Sequence, residues 1–120
     1  DLTTIEKDNR RYDLHNEYDC FAITHDSNSN ILNIGFEPVD KAFSNDKICL
    51  IFEGVIIVKF ELVSLDGEDF GTVNTIYRGK FERDGKLFEY DADNRGYFYL
   101  ELENGSRFEF FSIKCKLLSI

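Results

Sequence analysis

A chain of 120 residues that is 42% hydrophobic and 15% aromatic is long enough to bury one core and too apolar to stay disordered, so we expect a single domain over residues 1–120. Acidic residues outnumber Lys and Arg by 23 to 14, which gives a formal net charge of −9. Nucleic acid and anionic membranes are therefore disfavoured as partners, because both are bound through cationic side chains, and a basic protein is favoured instead.

No apolar stretch reaches the roughly 20 residues that a membrane-spanning helix needs, and the longest, Ile48 to Phe60, is interrupted by charged residues and glycine. Cys20, Cys49 and Cys115 show no metal-binding or redox spacing, so we expect free thiols in the core and a reducing, cytoplasmic location. The chain opens at Asp1 and contains no Met, which leaves open that a signal peptide has been removed.

The chain divides by composition into a polar N-terminal arm, residues 1–19, and a β domain, residues 20–118. The arm carries charge of both signs and room for a short helical turn. In the β domain, Cys20 to Thr24 and Ile31 to Phe36 have the composition of strands and flank a turn-rich loop at 25–30. These segments predict a first hairpin.

The middle of the chain contains the most apolar segments. One helical turn is predicted at Val39 to Ser44, after Pro38. Ile48 to Phe52 and Val55 to Val63 show little polar alternation, which is typical of central strands covered on both faces. Glu53-Gly54 between them is either a tight turn or a bulge in one long bent strand.

A second hairpin is predicted from Val73 to Phe81 and from Lys86 to Tyr90, on either side of Arg83-Asp84-Gly85. Asp-Gly between apolar runs favours a tight turn, because glycine adopts positive φ without steric cost.

The third predicted hairpin runs from Gly96 to Glu103 and from Ser106 to Leu118, around Asn104-Gly105. A two-residue turn would place Leu100 opposite Glu109 and mix polar with apolar side chains on both faces. We therefore predict a three-residue loop with a left-handed Gly105.

That loop fixes which residues face each other across the hairpin: Leu100 with Phe108, Phe98 with Phe110, and Glu101 with Arg107. The predicted core face is then Phe98, Leu100, Leu102, Phe108 and Phe110. The opposite face is Tyr97, Tyr99, Glu101, Arg107, Glu109 and Phe111. After Phe111 the apolar positions change parity, which predicts a bulge and a bend near Ser112.

About seven strands separated by turn residues predict a mainly β fold, an antiparallel β-sandwich or a partly open barrel.

Residues suited to chemistry are few. His15 and His25 lie in a segment rich in carboxylates, but neither has a His or Cys partner at the spacing of a metal site. The chain contains neither a GxSxG nucleophile motif nor a phosphate-binding glycine loop. We therefore expect no catalytic residue, no metal and no cofactor.

Acidic and aromatic residues offer a better candidate for a binding surface, because aromatic anchors beside charges are typical of recognition surfaces. The alternatives are that the charges form an ordinary solvated surface and that a second sheet buries the rings. The predicted partner-binding residues are Asp66, Glu68, Asp69, Asp91, Asp93, Tyr97, Tyr99, Glu101, Glu109 and Phe111.

The run Ile48-Cys49-Leu50-Ile51-Phe52-Glu53-Gly54-Val55, followed by the aromatic strands Tyr97-Phe98-Tyr99-Leu100-Glu101-Leu102 and Phe108-Glu109-Phe110, resembles immunity proteins of bacterial toxin systems. The resemblance covers residues 47–118 and carries no functional residue over. It implies a cytoplasmic inhibitor that blocks a cognate toxin, often a basic nuclease, through a charge-complementary surface.

Three hypotheses follow. The leading one is a non-enzymatic acidic protein that neutralises a basic toxin, and opposite charges would speed that association. The second is a small β-barrel that holds an apolar ligand, suggested by 12 Phe and 6 Tyr. The third is a small enzyme that uses His15 or His25. The sequence does not determine the oligomeric state or the identity of the partner.

Overall fold

The computed structural model describes residues 3–40, 46–63 and 70–120, and all regular structure in these ranges is β. The strands are β1 (Thr4–Lys7), β2 (Arg10–Asp13), β3 (Tyr18–Asp26), β4 (Ile31–Pro38), β5 (Ile48–Glu53), β6 (Ile56–Glu61), β7 (Val73–Gly79), β8 (Phe81–Arg83), β9 (Lys86–Phe88), β10 (Gly96–Leu102), β11 (Arg107–Ser112) and β12 (Lys114–Ser119).

Eight of these strands form two four-stranded antiparallel sheets. The first sheet has the order β12-β5-β4-β3 and the second sheet the order β6-β11-β10-β7. The hairpins β1-β2 and β8-β9 are separate two-stranded sheets. The predicted mainly β, antiparallel fold is confirmed, and the described strands do not close into a barrel. No helix in the described ranges is long and apolar enough to cross a membrane.

The core lies between the two main sheets, where alternate residues of the central strands turn inward. β5 buries Ile48, Leu50 and Phe52, and β10 buries every second residue from Gly96 to Leu102. The Phe52 ring meets Phe98 at 5.1 Å and Phe110 at 4.7 Å between centroids, in edge-to-face geometry. These contacts join the two sheets.

The third hairpin has the predicted register. Leu100 faces Phe108 and Glu101 faces Arg107, and Gly105 is left-handed with φ 94°. All five residues of the predicted core face are buried. The pairing is determined locally, because a shift by one residue would turn phenylalanine toward solvent and the left-handed Gly105 fixes the loop length.

The second hairpin is also confirmed at its turn. Arg83 pairs with Lys86 across Asp84 and Gly85, which have φ of 53° and 76°. The strand predicted before this turn is divided at Lys80, because β7 belongs to the second sheet whereas β8 pairs only with β9.

At Glu53-Gly54 the chain bends and passes from the first sheet to the second, so β5 and β6 do not pair with each other across a tight turn. The chain passes back at Ile113, between β11 and β12. The two crossings are adjacent, since the Ser112 hydroxyl and the Ile113 N–H both donate to the Glu53 carbonyl, at 2.8 and 2.9 Å. The bend predicted near Ser112 is therefore confirmed at Ile113, and it accompanies a change of sheet.

The prediction that Val55 to Val63 is a central strand is wrong. β6 is the edge strand of the second sheet, and most of its side chains are exposed. β5 is central in its sheet, as predicted, but only one of its faces is buried. An apolar composition indicates a strand, but it does not indicate what covers it.

The structure describes residues 3–19 of the predicted N-terminal arm. β1 and β2 form a hairpin whose turn is Asp8-Asn9, and Tyr12 and Leu14 are buried in the core. The N–H of Glu17 donates to the Asp13 carbonyl at 2.9 Å, which closes a single turn before β3. The helical turn predicted at Val39 to Ser44 falls mostly outside the described residues.

The first hairpin is confirmed as β3-β4, with a bulge at Phe21. Of the three free thiols, only Cys20 is in the core, whereas Cys49 is half-buried and Cys115 is exposed. Burial raises the pKa of the Cys20 thiol to about 12. The prediction of core thiols therefore holds for Cys20 alone.

Candidate binding face

The second sheet carries a group of aromatic residues on the side that faces away from the core. We call Tyr77, Tyr97, Tyr99 and Phe111, together with Glu101 and Glu109, the tyrosine face. Its residues on β10 and β11 alternate with the buried ones, and Tyr97 pairs with Phe111 while Tyr99 pairs with both Tyr77 and Glu109. The register therefore places all six side chains on one surface.

The rings of the tyrosine face pack against each other in pairs. Tyr77 lies 5.3 Å from Tyr99, and Tyr97 lies 5.6 Å from Phe111, between ring centroids. A Cβ atom at Gly79 would come within 2.7 Å of the Tyr77 ring, so the ring leans over this glycine. Aromatic pairs of this kind restrict each other's rotamers, and they present a large contact area at low entropic cost.

The two carboxylates of this face lie beside phenol groups. The Tyr99 hydroxyl donates to Glu101 Oε2 at 2.8 Å. Burial, followed by the negative charge of Glu109, raises the pKa of Tyr97 to about 12. Burial and the hydrogen bond to Glu101 also raise the pKa of Tyr99. Both phenols are therefore neutral donors at physiological pH.

The charge around the tyrosine face is mixed. Arg107 donates to Glu61 at 2.9 Å, and the Lys59 ammonium lies 3.8 Å from the same carboxylate. Register places Lys59 beside Glu109 and Arg107 beside Glu101. Cations therefore alternate with the carboxylates along this edge of the face.

Asp91 and Asp93 lie in the loop that leads into β10. Asp91 Oδ1 accepts the N–H groups of Asp93 and Arg95, and the Arg95 guanidinium pairs with both carboxylates and donates to the Gly54 carbonyl. The Asp91 side chain is 18% exposed and that of Asp93 is 75% exposed. Asp91 therefore organises the loop, and only Asp93 presents its carboxylate to solvent.

The structure brings together half of the predicted partner-binding residues: Tyr97, Tyr99, Glu101, Glu109 and Phe111. Asp66, Glu68 and Asp69 lie outside the described residues. Sequence reasoning missed Tyr77, because its place beside Tyr99 depends on the pairing of β7 with β10, which no local turn specifies.

The two histidines do not converge. His15 Nδ1 lies 2.5 Å from the Val73 carbonyl, whereas His25 is near the far end of β3. The strand from Tyr18 to His25 alone spans roughly 23 Å. No group of three or more His, Cys, Asp or Glu that could hold a metal ion occurs in the ranges that the structure describes.

Three of the phenylalanine rings that suggested a site for an apolar ligand pack on each other in the core. Phe52, Phe98 and Phe110 lie within 5.6 Å of one another between centroids, and they occupy the space between the sheets where a barrel would hold its ligand.

A second acidic feature was missed in the sequence. No Lys or Arg occurs between Arg11 and Lys41, a stretch that contains the β3-β4 hairpin. Asp19 and Glu37 face each other directly across this hairpin. The carboxylates of the stretch are Asp13, Glu17, Asp19, Asp26, Glu37 and Asp40.

Comparison of the chain with protein-family models, with curated proteins and with solved structures gives no match. The function must therefore be inferred from these surfaces.

Proposed function

We propose that this chain is a non-enzymatic binding protein that neutralises a basic protein, and that it acts as an immunity protein against a bacterial toxin in the cytoplasm. The observation that carries the proposal is the tyrosine face, four aromatic rings on the outward side of the second sheet with carboxylates beside them, of which Tyr77 is exposed and the other three are half-buried. Tyrosines of this kind are the usual anchors of protein interfaces, because each contributes a large apolar area and one polar group.

Charge has a separate role in this proposal. The formal charge of −9 and the cation-free β3-β4 hairpin give the protein a negative field at long range, which speeds the approach of a basic partner. The ion pairs around the tyrosine face give specificity instead, because a partner must match both signs. Long-range attraction and contact therefore depend on different residues.

The test begins with the protein encoded next to this one, because an immunity gene normally follows its toxin gene. Binding is measured by biolayer interferometry at low and high salt, and protection is measured as growth of cells that express both proteins. We expect a complex whose association rate falls with added salt, because salt screens attraction between exposed charges.

The matched pair of variants is Tyr77→Ala and Phe21→Ala. Both rings are 39% exposed, but Phe21 lies on the first sheet. We expect Tyr77→Ala to weaken binding about tenfold or more and Phe21→Ala to leave it unchanged. Equal effects of the two variants, or no complex with the neighbouring protein, would refute the proposal.

A further inference from the structure

β6 is an edge strand with an apolar surface. It is the last strand of the second sheet, and no strand lies beyond it in the described part of the chain. Ile56, Val58, Phe60 and Leu62 are all exposed, with Val58 at 55% and Leu62 at 53%. Natural proteins usually cover or charge such an edge, because an exposed apolar strand pairs readily with another chain.

The sequence of this edge is complementary to itself. If a second copy runs antiparallel with the two-fold axis at Phe60, Lys59 faces Glu61 of the second copy, and this pair occurs twice. The two Phe60 rings then face each other. The regular pairing covers Lys59 to Glu61, because the register of β6 shifts at Val58. Moving the axis to Lys59 would place two lysines opposite each other, so the charges select one register.

The backbone has free groups available for this pairing. The Val63 N–H donates to Ser106 Oγ at 3.0 Å and its carbonyl accepts from Asn104, so both groups face the β10-β11 loop. Because backbone groups alternate in direction along a strand, those of Leu62 and Phe60 turn away from β11. The Phe60 ring already packs on Phe108 at 4.3 Å between centroids, and a second copy would extend this aromatic layer.

We propose that the occupant of the β6 edge is a second copy of this chain, and that the two second sheets join into one continuous sheet. The assembly is a two-fold dimer, the commonest symmetry of soluble oligomers. An axis perpendicular to the sheet keeps both tyrosine faces on the same side. This inference does not depend on the proposed function, because its partner is a second copy of this chain, although Lys59 and Glu61 also border the tyrosine face.

The test uses the purified full chain in sedimentation equilibrium over a wide range of concentrations. We expect the mass to rise to that of two chains. Lys59→Glu alone, or Glu61→Lys alone, should raise the dimer dissociation constant on the order of tenfold, because two attractive cross-strand pairs become repulsive. Lys86→Glu, an equal charge change in the β8-β9 hairpin, should leave it unchanged.

The decisive sample is an equimolar mixture of the Lys59→Glu and Glu61→Lys variants. In the mixed dimer both cross-strand pairs are attractive again, one with the original signs and one with reversed signs, so association should return to the level of the unaltered protein. Circular dichroism checks that each variant is folded. If one variant does not fold, Leu62→Lys, which lies outside the strand, is used in its place. A mass of one chain at all concentrations, or no recovery in the mixture, overturns the proposal.

Discussion

The hydroxyl of Tyr99 donates a hydrogen bond of 2.8 Å to Glu101, two residues further along the same face of β10. The bond fixes the ring and the carboxylate relative to each other before any partner arrives. An interface built from such fixed side chains loses less conformational entropy on binding than one built from free side chains. The ring of Tyr99 and its hydrogen bond to Glu101 therefore make two contributions to binding, and mutation can distinguish them.

Replacing Tyr99 tests this separation. We expect Tyr99→Ala to weaken binding to the neighbouring basic protein about tenfold or more, because the ring is lost. Tyr99→Phe keeps the ring and frees Glu101, so its affinity should stay within about threefold. Interferometry gives both constants, and a larger loss in the Phe variant than in the Ala variant would contradict the role given to the ring.

Alkaline titration tests the environment of Tyr97. Burial, and then the charge of Glu109, raise its pKa from 10.0 to about 12. A pKa that is raised on folding stabilises the protein fully below the unfolded value, and this stabilisation is lost as the pH rises from 10.0 to about 12. We expect Tyr97 to be among the last tyrosines to ionise in an ultraviolet titration.

The control for this titration is Tyr97→Phe, which removes the phenol and keeps the ring. Its urea midpoint should fall less steeply over the same pH interval than that of the unaltered protein. Because Cys20 also has a raised pKa, only the difference between the two proteins is informative. Parallel curves would show that the Tyr97 phenol is not responsible.

Replacing Asp91 should destabilise the protein more than replacing Asp93, although both residues were predicted to bind a partner. Asp91→Ala removes the acceptor of two backbone N–H groups and one pairing of Arg95, so we expect a loss of about 1–3 kcal/mol in the free energy of unfolding. Asp93→Ala affects an exposed ion pair, and we expect a loss of no more than about 0.5 kcal/mol. Urea denaturation measures both, and equal losses would contradict the loop role of Asp91.

Local signals were sufficient for the parts of the fold that a single turn determines. The register of the third hairpin followed from Leu100, Phe108 and the left-handed Gly105, because shifting the pairing by one residue would expose the core. From that register the outward position of Tyr97, Tyr99 and Phe111 also followed. These residues form most of the tyrosine face.

Features that depend on distant parts of the chain were not predictable in this way. Periodicity reports how apolar a segment is, but β6 lies at an edge because of where β11 and β10 are placed. The same limit applies to Tyr77, which meets Tyr99 only through the pairing of β7 with β10. The sequence predicted a turn or a bulge at Gly54 and not a crossing between sheets. Glycine permits a turn, a bulge and a crossing alike, so its presence does not distinguish them.

The crossing at Gly54 provides the last test. Gly54 has φ 63°, and an added Cβ would come within 2.6 Å of Ile113 Cδ1 and 3.3 Å of its Cβ. Gly85 has φ 76° in the β8-β9 turn, with nothing within 4 Å of an added Cβ. Gly85→Ala therefore measures the cost of positive φ alone, about 1–2 kcal/mol. Gly54→Ala adds the conflict with Ile113, an exposed side chain that must change rotamer, at about 0.5–1.5 kcal/mol more.

The double variant Gly54→Ala with Ile113→Ala distinguishes the two costs within one site. If contact with Ile113 causes the extra loss, the double variant should be less destabilised than the sum of the two single variants. Urea unfolding of the four proteins completes the cycle. Additive losses would mean that the conflict lies in the backbone at the crossing and not in the Ile113 side chain, because Ile113→Ala removes every side-chain atom that the added Cβ meets except Cβ itself.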